Sequence, residues 1–325
     1  MILFALIFLS LCTAKDTLSV ELQFAAFEEK FGRTYVGEEE RRYRMSVFFN
    51  NMKTAEYYNS KQSSFVLGIT PFIDLSNDEF RERFASNTAF EKNVKSAEAS
   101  ISQQTSSDYS SLPHSVDWRA KHAVSSVKDQ KSCGSCWAFA AVASIEGVYA
   151  QKTGELLDFS PQQIVDCDYS SLGCSGGLMT YAYEYVMNNG VCLESDYPYK
   201  ASQGSCKKVS YVTSIMGYYE VPVGSTYELL KATAKNPVSV AIGADSIFFQ
   251  LYSSGILAES LCGTTLNHGV LLVGYELDTT TPYLIVKNSW GASWGEEGYV
   301  RLELSDSYAG TCGINLMASY PFLSL

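Results

Sequence analysis

The distribution of cysteine constrains this chain more than any other feature. There are nine, and the eight beyond Cys12 all lie after residue 132. The 120 residues between Cys12 and Cys133 have none. A stretch without cysteine followed by one rich in it reads as two units that stabilise themselves differently. Many cysteines within one folded unit fit an oxidising compartment, where most would form disulfides.

The start of the chain agrees with that compartment. Residues 2–11 are nearly all apolar, too few to span a bilayer as a helix, and small residues follow before Lys15-Asp16. This reads as a secretory signal peptide over residues 1–14. It predicts the secretory pathway, with a lysosome, an acidic vacuole or the outside of the cell as destination, and no membrane anchor. A net charge of −11 leaves no basic surplus to neutralise phosphates, which excludes nucleic acid as a natural partner.

Residues 15–90 are charged and helix-forming. Phe24, Phe27 and Phe31 recur at helical spacing, and a second periodic run covers 38–59. Ser76-Asn77-Asp78-Glu79 has the spacing of a capping box and predicts a third helix. Residues 91–111 are polar and Ser-rich, which reads as an exposed, cleavable linker. From Leu112 onward helices are expected from about 136 to 151, 160 to 167 and 179 to 188. Strands are expected at 238–242, 270–275, 283–287 and 299–302. Helices first and strands later predict an α+β fold of two subdomains with a cleft between them.

The chemistry centres on Gln130-Lys131-Ser132-Cys133-Gly134-Ser135-Cys136-Trp137. A Cys-x-x-Cys pair can be half of a zinc site, a redox pair, or one structural cysteine beside one nucleophile. Zinc needs four ligands and no matching second pair follows, so no metal is expected. No strand precedes the pair as a thioredoxin-type motif requires. A cysteine opening a helix lies at the positive end of its dipole, which favours the nucleophilic thiolate. A thiolate needs a cationic partner, and the chain has only three histidines. His268 opens an apolar strand, and Asn288, in Lys287-Asn288-Ser289-Trp290-Gly291, could hold it in one tautomer. Trp290 could shield that bond from water. Seen alone, His268 reads as a structural histidine and Asn288 as a turn residue.

Together these stretches resemble papain-like cysteine proteases, in particular the cathepsin L-like branch. The Cys136 motif matches Cys-Gly-[Ser/Ala]-Cys-[Trp/Tyr], with His and Asn expected roughly 130–150 residues downstream. Here 268 − 136 is 132 and 288 − 136 is 152. The resemblance implies a papain-like two-subdomain fold, helical on the left and β-rich on the right, preceded by a small helical propeptide. It implies a self-inhibited zymogen of a cysteine endopeptidase, monomeric, without cofactor, acting on peptides and proteins. Cys136 would be the nucleophile, His268 the base and later acid, Asn288 its orienter and Gln130 an oxyanion donor. It pairs Cys133 with Cys174, Cys167 with Cys206 and Cys262 with Cys312, and leaves Cys192 over.

By the same resemblance Gly176 and Gly177 present backbone to an extended substrate. Leu178, Met179, Ala241, Leu266, Gly269 and Met317 would line the second specificity pocket, all of them apolar or small. A bulky apolar residue two positions before the scissile bond (P2) is therefore expected. Glu40, Arg44, Phe48, Asn51, Ala55 and Asn59 follow the spaced pattern of cathepsin L-like propeptides, with Ala55 for Ile. Gly68, Thr70, Phe72 and Asp74 follow a second pattern, with Thr70 for Asn. The division expected is 1–14 signal, 15–111 inhibitory propeptide and 112–325 peptidase. Both later parts are net acidic, so docking needs specific ion pairs. Glu40, Arg44 and Asp74 are the members expected, and acid should loosen them. A non-catalytic inhibitor homologue and a transglutaminase-type acyl transferase are the alternatives. The intact Cys136, His268, Asn288 and Gln130 disfavour the first, and Asn288 in place of an Asp disfavours the second.

Overall fold

The structure, a computed structural model, describes residues 20–85, 89–90 and 108–323. The expected signal peptide and most of the Ser-rich linker lie outside these. The N-terminal unit comprises helix α1 (20–31), α2 (Gly37–Asn59), strand β1 (Phe65–Leu67) and α3 (Asn77–Phe84). Phe24 and Phe27 of α1 bury against Phe48 of α2, with ring centroids 5.4 and 5.3 Å apart. The spaced polar residues of α2 are ties between that helix and the following turn. Arg44 pairs with Glu79 at 2.8 Å and donates to the Asp74 carbonyl at 3.2 Å. Asn51 Nδ2 donates to the carbonyls of Ile73 and Leu75, and Asn59 exchanges two hydrogen bonds with Leu67. Ser76 and Glu79 form the capping box that opens α3.

Three helices build the left subdomain of the larger unit: α4 (Cys136–Thr153), α5 (Pro161–Cys167) and α6 (Met179–Asn189). α4 is apolar around most of its circumference, which is why it can run through the interior with most residues buried. Ser160 caps α5 and Pro161 fills its first position, where no backbone donor is missed.

The right subdomain is one sheet. Its strands are β2 (Ser115–Asp117), β3 (Gly217–Glu220), β4 (Val238–Ile242), β5 (Tyr252–Leu257), β6 (His268–Glu276), β7 (Tyr283–Lys287), β8 (Tyr299–Glu303) and β9 (Ala318–Phe322). Their order is β1-β5-β8-β7-β6-β4-β9-β3, with β2 also on β6. β6 is buried on both faces, so it reads as a continuous apolar run rather than an alternation. β2, β3, β5 and β9 are strands the sequence pattern did not single out, as is the helix α7 (Thr226–Thr233). The three expected disulfides are present, Cys133–Cys174, Cys167–Cys206 and Cys262–Cys312.

β1 of the N-terminal unit adds to the edge of the sheet, antiparallel to β5. This arrangement corrects the expected ionic docking. Glu40, Arg44 and Asp74 spend their charges inside the N-terminal unit. Arg44 meets Glu40 and Glu79, and Asp74 accepts from Tyr35 and faces Arg33. Among the described residues the ion pair that crosses to the larger unit is Arg81–Asp245, at 3.5 Å. The cause is helical spacing: Arg44 projects from α2 onto its own unit's turn, away from the sheet edge.

A candidate thiol–imidazole site between the subdomains

Cys136 is the first residue of α4 and is 2% exposed. His268 is the first residue of β6 and is fully buried. The pairing of β4 with β6 sets Gly269 opposite Ala241 and turns the start of β6 onto the head of α4. A Cβ on Gly269 would lie 3.4 Å from the Cys136 carbonyl carbon and 3.2 Å from Trp137 Cα, so only glycine permits this approach at no cost.

Asn288 follows β7. Its Oδ1 accepts from His268 Nε2 at 2.8 Å and from the Ser289 N–H at 2.8 Å. With Nε2 as the donor, Nδ1 is the nitrogen that can take up and release a proton; it is buried and has no hydrogen-bond partner among the described residues. Trp290 stacks on the imidazole with centroids 4.6 Å apart and is itself 2% exposed. Burial pushes the His268 pKa down to about 4, against the opposing effect of the Asn288 bond. In this covered state the imidazole is neutral at neutral pH.

Gln130 is fully buried between the subdomains. Its Oε1 accepts from Ser289 Oγ at 2.7 Å and its Nε2 donates to the Cys133 carbonyl at 3.1 Å. Tyr199 donates to the Gln130 carbonyl at 2.8 Å and bonds Ser135 at 2.7 Å. Ser289 and Tyr199 were not legible in the sequence, because their part depends on contacts across 159 and 69 residues.

Leu178, Met179, Ala241 and Leu266 belong to one buried apolar cluster, with Met317 packed against it. Phe90 of the N-terminal unit is fully buried in the same cluster. Sequence reasoning missed Phe90; its one signal was an isolated aromatic residue just before the polar linker. Gly177 lies against Trp137, where a Cβ would come within 2.7 Å of the ring. Gly176 precedes it at a φ of 112°. Trp290 stands apart from this pocket, among Phe72, Phe80, Phe84 and Phe249. Both sides of the thiol–imidazole site are therefore covered by aromatic residues of the N-terminal unit. Among the described residues no cluster of His, Cys, Asp and Glu could hold a metal ion.

Comparison with known proteins matches residues 112–322 to the papain family cysteine protease model and residues 24–80 to the cathepsin propeptide inhibitor domain. Cysteine protease XCP2 of Arabidopsis thaliana is 43% identical over 305 residues, 92% of this chain and 85% of that protein. Among solved structures, a recombinant stem bromelain precursor is 38% identical with a TM-score of 0.86, covering 94% of this chain and all of that one. The digestive procathepsin L 3 of Tenebrio molitor larval midgut is 35% identical with a TM-score of 0.82, over 94% of this chain and 99% of that one.

Proposed function

The chain belongs to the papain family of cysteine proteases, hydrolases made as zymogens with an inhibitory propeptide, and we propose that Cys136, His268, Asn288 and Gln130 are its working residues. The Cys136 thiolate attacks the scissile carbonyl. The charge that develops on oxygen is met by the Gln130 side-chain amide and the Cys136 N–H, donors that can contribute ~3–4 kcal/mol each. His268 then gives its Nδ1 proton to the leaving amine, and the acyl-enzyme is hydrolysed with His268 as base. The observation that best supports this is the 2.8 Å His268–Asn288 bond on a ring whose other nitrogen is left for the thiol. Cys136→Ala is expected to abolish hydrolysis while leaving a folded precursor; comparable turnover in that variant would remove Cys136 as nucleophile.

The division into residues 1–14, 15–111 and 112–325 is part of this proposal; the extents of the two family matches support the separation of its second and third parts. Entry to the secretory pathway, an endopeptidase action and a monomeric enzyme belong to it as well. The apolar cluster around Leu178, Met179, Ala241, Leu266 and Met317 supports a bulky apolar P2 residue, because an Arg there would bury an unpaired charge at a cost of several kcal/mol. A Leu-Arg reporter substrate should be cut faster than Arg-Arg, and Met317→Glu should shift the preference towards Arg. A faster Arg-Arg reaction in the unmodified enzyme would sink this assignment.

A further inference from the structure

We propose that Gln250 is the residue by which the peptidase unit recognises its folded propeptide, distinguishing it from an extended substrate. The inference rests on the reading of residues 15–111 as the inhibitor. Gln250 ends a short helix (Ile247–Gln250) just before β5 and is fully buried. Among the described residues, all three hydrogen bonds of its side-chain amide leave the peptidase unit. Nε2 donates to the carbonyls of Phe72 and Leu75 at 2.9 and 2.8 Å. Oε1 accepts from Asn77 Nδ2 at 3.1 Å. Its backbone carbonyl accepts from Thr70 Oγ1 at 2.9 Å, so Thr70 serves where the family pattern has Asn.

These partners converge only when residues 70–77 are folded. Leu75 N–H donates to the Phe72 carbonyl, and the Leu75 carbonyl takes a second donor, Asn51 Nδ2 at 2.9 Å from α2. One carbonyl is thus clamped between the propeptide's own helix and Gln250. A substrate strand presents carbonyls in alternating directions and cannot offer two of them, three residues apart, to one amide. The neighbouring edge is shaped for the same partner. Gly255 in β5 has a φ of 92°, and a Cβ there would lie 2.5 Å from Phe65 Cα. All four Gln250 contacts are between neutral groups, so the lock itself does not titrate. Without the propeptide the amide loses every partner named here, and water must replace them.

The test uses the full-length chain carrying Cys136→Ala, which prevents self-cleavage. Amide hydrogen exchange at Phe65–Leu67 and across 70–77 is measured at neutral pH with and without Gln250→Leu, which keeps the volume and removes the amide. Exchange faster by about tenfold or more is expected in both segments, with the interior of α4 unchanged. Should Gln250→Leu disturb folding, Asn77→Ala removes the bond to Oε1 and Thr70→Val the bond to the Gln250 carbonyl from the propeptide side, and each should accelerate exchange in the same segments. Unchanged exchange in the folded Gln250 variant, or in both propeptide-side variants, overturns the proposal. A second readout is made in chains with Cys136 intact. Once matured, the Gln250→Leu enzyme should match the parent in kcat/KM on a dipeptide reporter. A parallel loss there would show that Gln250 acts in catalysis, and would also overturn it. Failure of the parent enzyme to hydrolyse anything would instead strike the protease assignment and leave the exchange result readable.

Discussion

At the scale of single residues, the electrostatics of His268 link concealment to inactivity. In the mechanism we propose, the working pair is a thiolate and an imidazolium, yet burial in the precursor pushes His268 down to about 4. The folded, covered state therefore binds fewer protons than the open state wherever pH lies between about 6.5 and 4. Neutral His268 supports the covered state above 6.5, and that support is lost progressively as pH falls towards 4. Acid thus favours the state in which His268 is solvated and charged. We expect the imidazole of the Cys136→Ala precursor, followed by NMR, to stay neutral at pH 6 and to titrate only after the propeptide is removed; the same titration in both forms would contradict this. Asn288→Ala should lower kcat/KM by about a hundredfold while the fold is kept, because the ring loses its fixed orientation. Cys192 is fully buried, and burial pushes its thiol up to about 11. It should be inert, so the matured enzyme should show one rapidly alkylated thiol; two would assign Cys192 a reactive role.

At the scale of elements, one tie braces the site and another braces the propeptide that covers it. The first joins α4 to β7 behind Cys136 and His268. Glu146 of α4 accepts from Ser125, which in turn accepts from Lys287 Nζ at 3.0 Å, and the Phe159 N–H donates to the same carboxylate at 2.9 Å. Burial pushes Glu146 up to about 7 and Lys287 down to about 8, with each charge partly offsetting the other's shift. Lys287 directly precedes Asn288, so this chain sets the height of Asn288 relative to the helix that begins at Cys136. Glu146→Ala leaves a buried ammonium without its counter-charge and should cost about 3–5 kcal/mol in chemical denaturation. Replacing Glu146 and Lys287 together with apolar residues should cost less than the single change. The second tie is the capping box of α3. Ser76→Ala should cost about 1 kcal/mol of propeptide stability and speed acid processing, leaving the matured enzyme unaltered.

At the scale of the whole molecule, the precursor is a sheet completed by its own inhibitor. The propeptide adds β1 to β5, sets Phe72, Phe80 and Phe84 on Trp290 at one side of Cys136 and His268, and seats Phe90 in the apolar cluster at the other. Besides His268, a carboxylate within the propeptide responds to acid. Burial works to raise the Glu79 carboxyl, but hydrogen bonds from Arg44 and Ser76 and the charge of Arg44 outweigh it, and the net shift is downward. A depressed carboxylate stabilises the fold above its unfolded value near 4.5 and loses that contribution as pH falls through the lowered one. We therefore expect acid release to follow the weakening of the propeptide's own fold and the charging of His268 more than the breaking of ion pairs at the interface. Arg44→Ala should process at higher pH than the parent, whereas Arg81→Ala, which removes the crossing pair with Asp245, should shift the onset little. The reverse order, read from the pH at which the mature band appears, would restore interface ion pairs as the acid-sensitive element.

Much of this was legible in the sequence, because its signals are local or motif-bound. Helix periodicity, the capping box at Ser76 and the apolar runs of β4, β6 and β7 each depend on residues a few positions apart, whereas Cys136, His268 and Asn288 became legible only together, as a family motif with its long spacing. The short strands β2, β3, β5 and β9 were not legible, since three to six residues have little periodicity and become strands only when a sheet edge supplies their hydrogen-bond partners. The ionic partners of Arg44 were misassigned for a related reason. A sequence shows which residues are charged but not which face of a helix meets which unit. Phe90, Ser289, Tyr199 and Gln250 carry no motif at all. Their roles arise from contacts that close only when distant segments fold together, so they belong to the tertiary structure alone.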